Sequence, residues 1–332
     1  MMMSPGKFLC RTLPLVRNVI KRSCYKEGIT AINLTEVTSS QQIQHSELNA
    51  PKDSFRPPLY IESTQRVTLQ GLGGGSIESD LNNETGIATI TISNTKNANA
   101  LSGSMMVELA DVISELENWK KGKAVILVGN PNGNNFSAGA DLTSMKELKT
   151  PQAGTMMCLF MQNTLLRLQQ LPLISVAAID GRAMGGGAEI TTSCDFRIMT
   201  EGSVIQFVHR KLGLSPGWGG GARLVHIVGH REALKMLCSS DPVDAETALK
   251  VGLSDGTLPE TKDLIKGTAD WLAPFISAPY QLVQAIKKVV LAGSELPLDK
   301  AMKKEKDIFT GLWAADLQLE IMERYMKQKR FK

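Results

Sequence analysis

Apolar positions fall into register from about Gly86 onward. In GIATITIS (86–93), Ala88, Ile90 and Ile92 alternate with Thr89 and Thr91, the period of two that predicts a half-buried strand. Met105, Leu109, Val112 and Leu116 then recur on one helix face, with Ser102 or Ser104 placed to cap it. AVILV (124–128) is apolar throughout and predicts a fully buried strand, and PNGNNF (131–136) is rich in turn residues. Thr150-Pro151 supplies a cap and a first-turn proline for a long helix running to about Gln170, stopped by Pro172. ISVAAI (174–179) predicts a second buried strand that ends in Asp180-Gly181. A glycine-rich turn and a short helix from about Gly186 to Ser193 follow. After Phe196–Met199 the pattern turns helical, through Asp241–Leu253 and most of Thr261–Lys332. Strands and helices alternate first and helices close the chain, so the predicted class is α/β.

Ahead of this region the chain reads differently. Lys7, Arg11, Arg17, Lys21, Arg22 and Lys26 all precede the first acid, Glu27, and apolar residues lie between the charges. That beginning fits either a mitochondrial presequence or a solvated basic tail. Residues 31 to about 75 are rich in Ser, Thr, Gln, Asn and Pro without a lasting period. The expected organisation is a tail and linker over 1–75, an α/β core over 76–260, and a helical end over 261–332.

Composition narrows the class. Of 332 residues, 42% are apolar and 21% charged, as in ordinary soluble proteins, and no apolar run approaches the ~18 residues of a membrane span. The net charge of +4 suits an anionic small molecule without demanding nucleic acid. Cys10, Cys24, Cys158, Cys194 and Cys238 form no CxxC, which predicts buried free thiols in a reducing compartment and no cysteine zinc site.

Two strings at the ends of the buried strands could carry chemistry: FSAGADL (136–142) and MGGGAE (184–189). Small residues let a ligand approach the main chain, and a helix start leaves N–H groups without internal partners. Facing one another, the strings would aim two amides at a single oxygen, forming an oxyanion hole built from backbone. Taken singly, each string could equally serve a tight turn.

FSAGADL, then GGGAE about forty-five residues on, then CDF and PGWGG (216–220), together resemble the crotonase (enoyl-CoA hydratase/isomerase) superfamily from about Gly86 to the C-terminus. The stretch from FMQNTLLRLQQ through GGGARLV looks like a decarboxylating branch of it. The resemblance implies a spiral of strand–strand–helix units with a helical C-terminal region, an acyl-CoA thioester substrate, a homotrimer or homohexamer, and a cytosolic location. It implies no metal or prosthetic group and no membrane partner. A non-catalytic crotonase-like RNA-binding protein is the alternative, but no aromatic-basic stripe or RNA-binding signature supports it, so no nucleic-acid partner is expected. The thioester oxygen would be held by the amides of Ala140 and Gly186. Lys96, Ala98, Ala138, Asp141 and Leu142 would contact coenzyme A. Lys327 and Lys329 are further candidates for its phosphates.

Hydratases of the family use two glutamates. The first falls on Glu189, but the position of the second, twenty residues on, is His209. Adding water to an alkene needs a positioned acid and base together, so the resemblance implies weak or absent hydration. Losing CO2 from a malonyl-type thioester needs only a stabilised enolate and, later, one proton. Glu189 would orient or protonate the enolate carbon, or bind the substrate carboxylate, and His209 would donate to that carboxylate or deliver the proton. In the plainer reading, Glu189 caps its helix and His209 is a packed side chain.

Two competing motifs fail. GLSPG (213–217) fits a hydrolase elbow, but the residue after the serine is Pro216, which has no N–H to donate. His226 and His230 have a metal-ligand spacing, but Ile227 replaces the expected Glu and Gly229 should break the helix.

Overall fold

The computed structural model describes residues 59–259 and 263–330, which lie within the unit Phe55–Lys332. The basic segment Lys7–Lys26, with Cys10, Cys24 and the presequence-or-tail question, lies outside the described residues.

The chain runs through α1 (Leu59–Gln70), β1 (Ser76–Asn82), β2 (Ile87–Ser93), α2 (Gly103–Asn118) and β3 (Ala124–Gly129). It continues through α3 (Leu142–Met145), α4 (Pro151–Gln170), β4 (Ile174–Ile179), β5 (Arg182–Met184) and α5 (Gly186–Thr191). Then come β6 (Phe196–Thr200), β7 (Val204–Gln206), α6 (Gly220–Ser239), β8 (Val243–Asp244), α7 (Ala245–Lys250) and β9 (Gly256–Leu258). Four helices finish it: α8 (Leu264–Leu272), α9 (Tyr280–Glu295), α10 (Leu298–Leu312) and α11 (Asp316–Arg330). The larger sheet has the order β1-β2-β3-β4-β6-β9, antiparallel at β1–β2 and parallel elsewhere. The smaller sheet is β5-β7-β8.

Each turn of the chain sends one extended piece to each sheet before a helix. β4, β5 and α5 form one such unit, and β6, β7 and α6 another. Isolated parallel bridges, Ser137 with Ala183 and Leu101 with Ala140, carry the smaller ladder back to the loops that follow β3 and β2. The result is the expected spiral, and it stacks the loops after β2, β3, β4 and β6 beside one another.

The central strands are apolar throughout because both of their faces are covered. Val125 and Leu127 join the core with α2 and α4, while Ala124, Ile126 and Val128 pack with Leu272 and Ile276 on the other side. The expected helix starts hold: Ser102 Oγ accepts from Met105 N (3.3 Å) and Thr150 Oγ1 from Ala153 N (3.1 Å). Lys287 of α9 reaches Asp195, whose other oxygen accepts from Ser175 N at 2.8 Å, so an ion pair docks the helical end on the sheet.

Several expectations need correction. The polar stretch 31–75 contains α1, which buries Leu69 completely against the core and carries Arg66 between Glu62 (3.2 Å) and Asp111 (2.5 Å). Its few apolar residues hid the helix. GLGGGS then threads past the starts of α2 and α3, where a side chain on Gly73 would strike Ser102 and Ser144. β1 has only Ile77 buried, so as an edge strand it shows no alternation. The region after Met199 is not simply helical: β7, β8 and β9 are two or three residues long, too short to display a period, and Asp241–Leu253 is helical only over Ala245–Lys250. Gly229, at φ 78° and ψ 164°, does interrupt α6 between His226 and His230. Of the thiols, Cys194 is buried and pushed up to about 12 by burial, Cys158 is half-buried, and Cys238 is exposed rather than buried. Among the described residues no helix is long and apolar enough to cross a membrane.

Candidate active site

The two small-residue corners meet. Ser137 N donates to Arg182 O (3.1 Å) and Met184 N to Ser137 O (2.8 Å), so the loop after β3 lies along β5. Gly139 has φ +92°, and a Cβ there would stand 2.7 Å from Met184 O and 2.8 Å from Gly186 N. Only glycine brings the first corner this close to the amide of the second.

Three of the amides beside the two candidate donors are already committed. Asp141 N donates to Leu101 O (2.8 Å), Gly139 N to Ser137 Oγ (3.1 Å), and Gly185 N to Gln206 O (2.9 Å). The amide of Ala140 donates to no acceptor among the described residues. Gly186 opens α5, where helical geometry supplies no internal acceptor for its N–H. The corners therefore leave Ala140 and Gly186 with donors to offer.

Glu189 is one turn into α5, 1% exposed, and its carboxylate accepts four hydrogen bonds. Oε1 takes His209 Nε2 (2.9 Å) and Gly217 N (3.2 Å); Oε2 takes Trp218 N (2.9 Å) and Gly220 N (2.8 Å). Four donors match the lone-pair capacity of an ionised carboxylate. Its three amide partners can only donate, and the imidazole Nε2 completes the set with the ring assigned the tautomer that donates to an ionised carboxylate. The other imidazole nitrogen, His209 Nδ1, is buried with no hydrogen-bond partner.

The loop carrying those amides is clamped from outside. Arg223 Nη2 donates to Trp218 O (2.9 Å) and its Nε to Thr192 Oγ1 (3.1 Å). Burial pulls that guanidinium below its usual range, against the nearby Glu189 charge. Gln162 Nε2 and the Cys158 thiol both donate to Gly217 O (2.8 Å each). Burial, then the Glu189 carboxylate, raise the Cys158 thiol, so it stays protonated as that donor requires. Trp218, 3% exposed, lies so close to Gly186 that a side chain there would overlap its ring.

The structure thus brings Ala140, Gly186, Glu189 and His209 into one cluster. Ala98, in a left-handed turn, accepts from Ala138 N (3.0 Å), which places both beside the exposed Lys96 and the same corner. The Asp141 side chain is taken up capping α3 through Thr143 N (3.0 Å) and Ser144 Oγ (2.6 Å), and its main chain is bonded to Leu101 O (2.8 Å) and Met145 N (2.9 Å). Leu142 is 53% exposed at the start of that helix. Lys327 pairs with Glu323 (2.7 Å) and Lys329 stands over the Tyr325 ring (5.1 Å), so both have local partners on α11. Sequence reasoning overlooked Gln162, Trp218 and Arg223, although the strings FMQNTLLRLQQ, PGWGG and GGGARLV that carry the resemblance contain them.

This fold and this pair of backbone corners place the chain in the enoyl-CoA hydratase/isomerase family, whose model matches residues 82–332. The solved structures it resembles include an enoyl-CoA hydratase from Bacillus anthracis (26% identical, TM-score 0.68, covering 76% of this chain and 96% of that one). DspI of Pseudomonas aeruginosa is similar too (26%, TM-score 0.69, covering 76% and 94%). Among curated relatives, the ethylmalonyl-CoA decarboxylase of Gallus gallus is 47% identical over 89% of this chain and 98% of its own length. Those of Xenopus tropicalis and Danio rerio are 48% identical, over 81% and 80% of this chain and 90% and 88% of theirs.

Proposed function

We propose that this chain decarboxylates ethylmalonyl-CoA to butyryl-CoA, and methylmalonyl-CoA to propionyl-CoA less well, through an enolate held by the amides of Ala140 and Gly186. The observation that carries this reading is the Glu189–His209 pair. Glu189 has its four acceptor sites filled, and a histidine stands where hydration needs a second carboxylate. Such a site has no free carboxylate to prepare water, yet it retains what decarboxylation requires. The relatives named above carry the same activity in their names at nearly half identity.

In this mechanism the thioester oxygen accepts both amide N–H groups. The bond from C2 to the carboxylate breaks, its electron pair moves into the thioester as an enolate, and CO2 departs. One proton then goes to C2. Each oxyanion donor contributes roughly 10²–10³ in rate. Main chain around Ala98, Ala138, Asp141 and Leu142, with Lys96 nearby, would receive the coenzyme A portion. No metal or prosthetic group enters these steps.

The physiological role that fits is metabolite repair in the cytosol, clearing a side product of fatty-acid synthesis. An assembly of three or six copies would cover the apolar groove of about 460 Å³ formed by Leu282, Phe309, Leu312, Trp313, Met322 and Tyr325. Trp313 is 64% exposed there. Trp313→Glu should therefore lower the mass measured by sedimentation, and a wild-type monomer would refute the assembly. Supplied separately with ethylmalonyl-CoA and crotonyl-CoA, the protein should release CO2 from the first and leave the second unhydrated. Hydration of crotonyl-CoA without CO2 release would reverse the assignment.

A further inference from the structure

The remaining chemical step is the proton delivered to C2, and the cluster contains few groups able to give one. Glu189 is saturated by three backbone amides and one imidazole N–H. Arg223 is committed to the carbonyl of Trp218 and the hydroxyl of Thr192, and a guanidinium does not deprotonate at neutral pH. The Cys158 thiol is committed to Gly217 O and raised by burial and by Glu189. His209 differs. Its Nε2 is fixed on Glu189, which sets the ring orientation, while its Nδ1 is buried without a partner.

The position of the ring suits the task. His209 opens the short turn His209–Leu212, and the preceding Val208 packs 3.3 Å from where a Gly185 Cβ would stand, beside the Gly186 corner. Its Glu189 contact reaches the first turn of the helix that Gly186 begins.

Resting on the decarboxylase reading above, we propose that His209 is the proton donor, through Nδ1, and that Glu189 is a positioning residue that holds and charge-balances the imidazolium. The Nδ1–H⁺ bond breaks as the new C2–H bond forms from the enolate pair. The ring is left neutral with Nε2–H still on Glu189, and one proton from water recharges Nδ1. Each CO2 released therefore consumes one solvent proton.

His209→Gln tests this, because a glutamine amide can still reach Glu189 but offers nothing at the Nδ1 position. His209→Asn is the companion variant in case glutamine does not fold. In D2O, wild type should place one deuterium at C2 of butyryl-CoA in a single configuration. Either folded variant should turn over at least about 10²-fold more slowly, with KM changed far less than kcat, and give both configurations, since solvent then quenches the enolate from either side. A folded variant with near-normal kcat and a single configuration would overturn the assignment while leaving the decarboxylase reading intact. A wild type that releases no CO2 would overturn both.

Discussion

Gly186→Ala should lower decarboxylase turnover by about 10²–10³-fold, the effect of losing one oxyanion donor. The reason is steric. A methyl group on Gly186 points into the ring of Trp218. That ring cannot retreat easily, because the Trp218 N–H is bonded to Glu189 at 2.9 Å and its carbonyl to Arg223 at 2.9 Å. The start of α5 must move instead and carry the Gly186 amide with it. Overpacking of this kind also destabilises by about 1–3 kcal/mol, so thermal melting should shift downward modestly while kcat collapses. Gly154→Ala is the control: nothing lies within 4 Å of its Cβ position in α4, and the change should be neutral or slightly stabilising. Unchanged kcat in Gly186→Ala, measured on folded protein, would remove this amide from the oxyanion site.

Glu189→Gln should have the largest combined effect. A glutamine side chain keeps one acceptor oxygen and turns an NH2 group toward donors. The four N–H groups now satisfied at Oε1 and Oε2 cannot all be served. Breaking a buried charged network by removing one partner costs about 3–5 kcal/mol, a large share of the stability of most domains. The loop 217–220 loses its anchor, and with it Trp218 behind Gly186 and the orientation of His209. Stability and turnover are therefore expected to fall together, seen by melting and by CO2 release. Lost turnover with unaltered melting would instead place Glu189 directly on the substrate.

Legibility in the sequence followed burial. AVILV and ISVAAI announced themselves because both faces of β3 and β4 are covered, and Ser102 and Thr150 announced the helix starts because capping is local chemistry. β1 stayed hidden because an edge strand buries only Ile77, and β7 to β9 because two or three residues show no period. In α1 the buried face is thin, with the charged Arg66 and Glu62 beside the buried Leu69 and Gln65, so its pattern read as linker.

The site divides along the same line. Gly139, Ala140, Gly186 and Glu189 were visible from the sequence because a backbone oxyanion site demands small residues at strand ends and leaves a compact string. Their convergence was decided by the tertiary fold: the Ser137–Ala183 bridge and the close approach of Gly139 to Gly186 N come from the spiral's second ladder. So were the clamps from Gln162, Cys158 and Arg223, which act on main-chain carbonyls as far as 59 residues away. A carbonyl is common to every residue type, so a bond to one leaves no mark on the sequence at the position that receives it. The sequence by itself determined which residues can stand close enough to a thioester. Only the folded chain determined that Glu189 is fully bonded and that His209 Nδ1 is not, because saturation depends on which donors arrive from elsewhere in the structure.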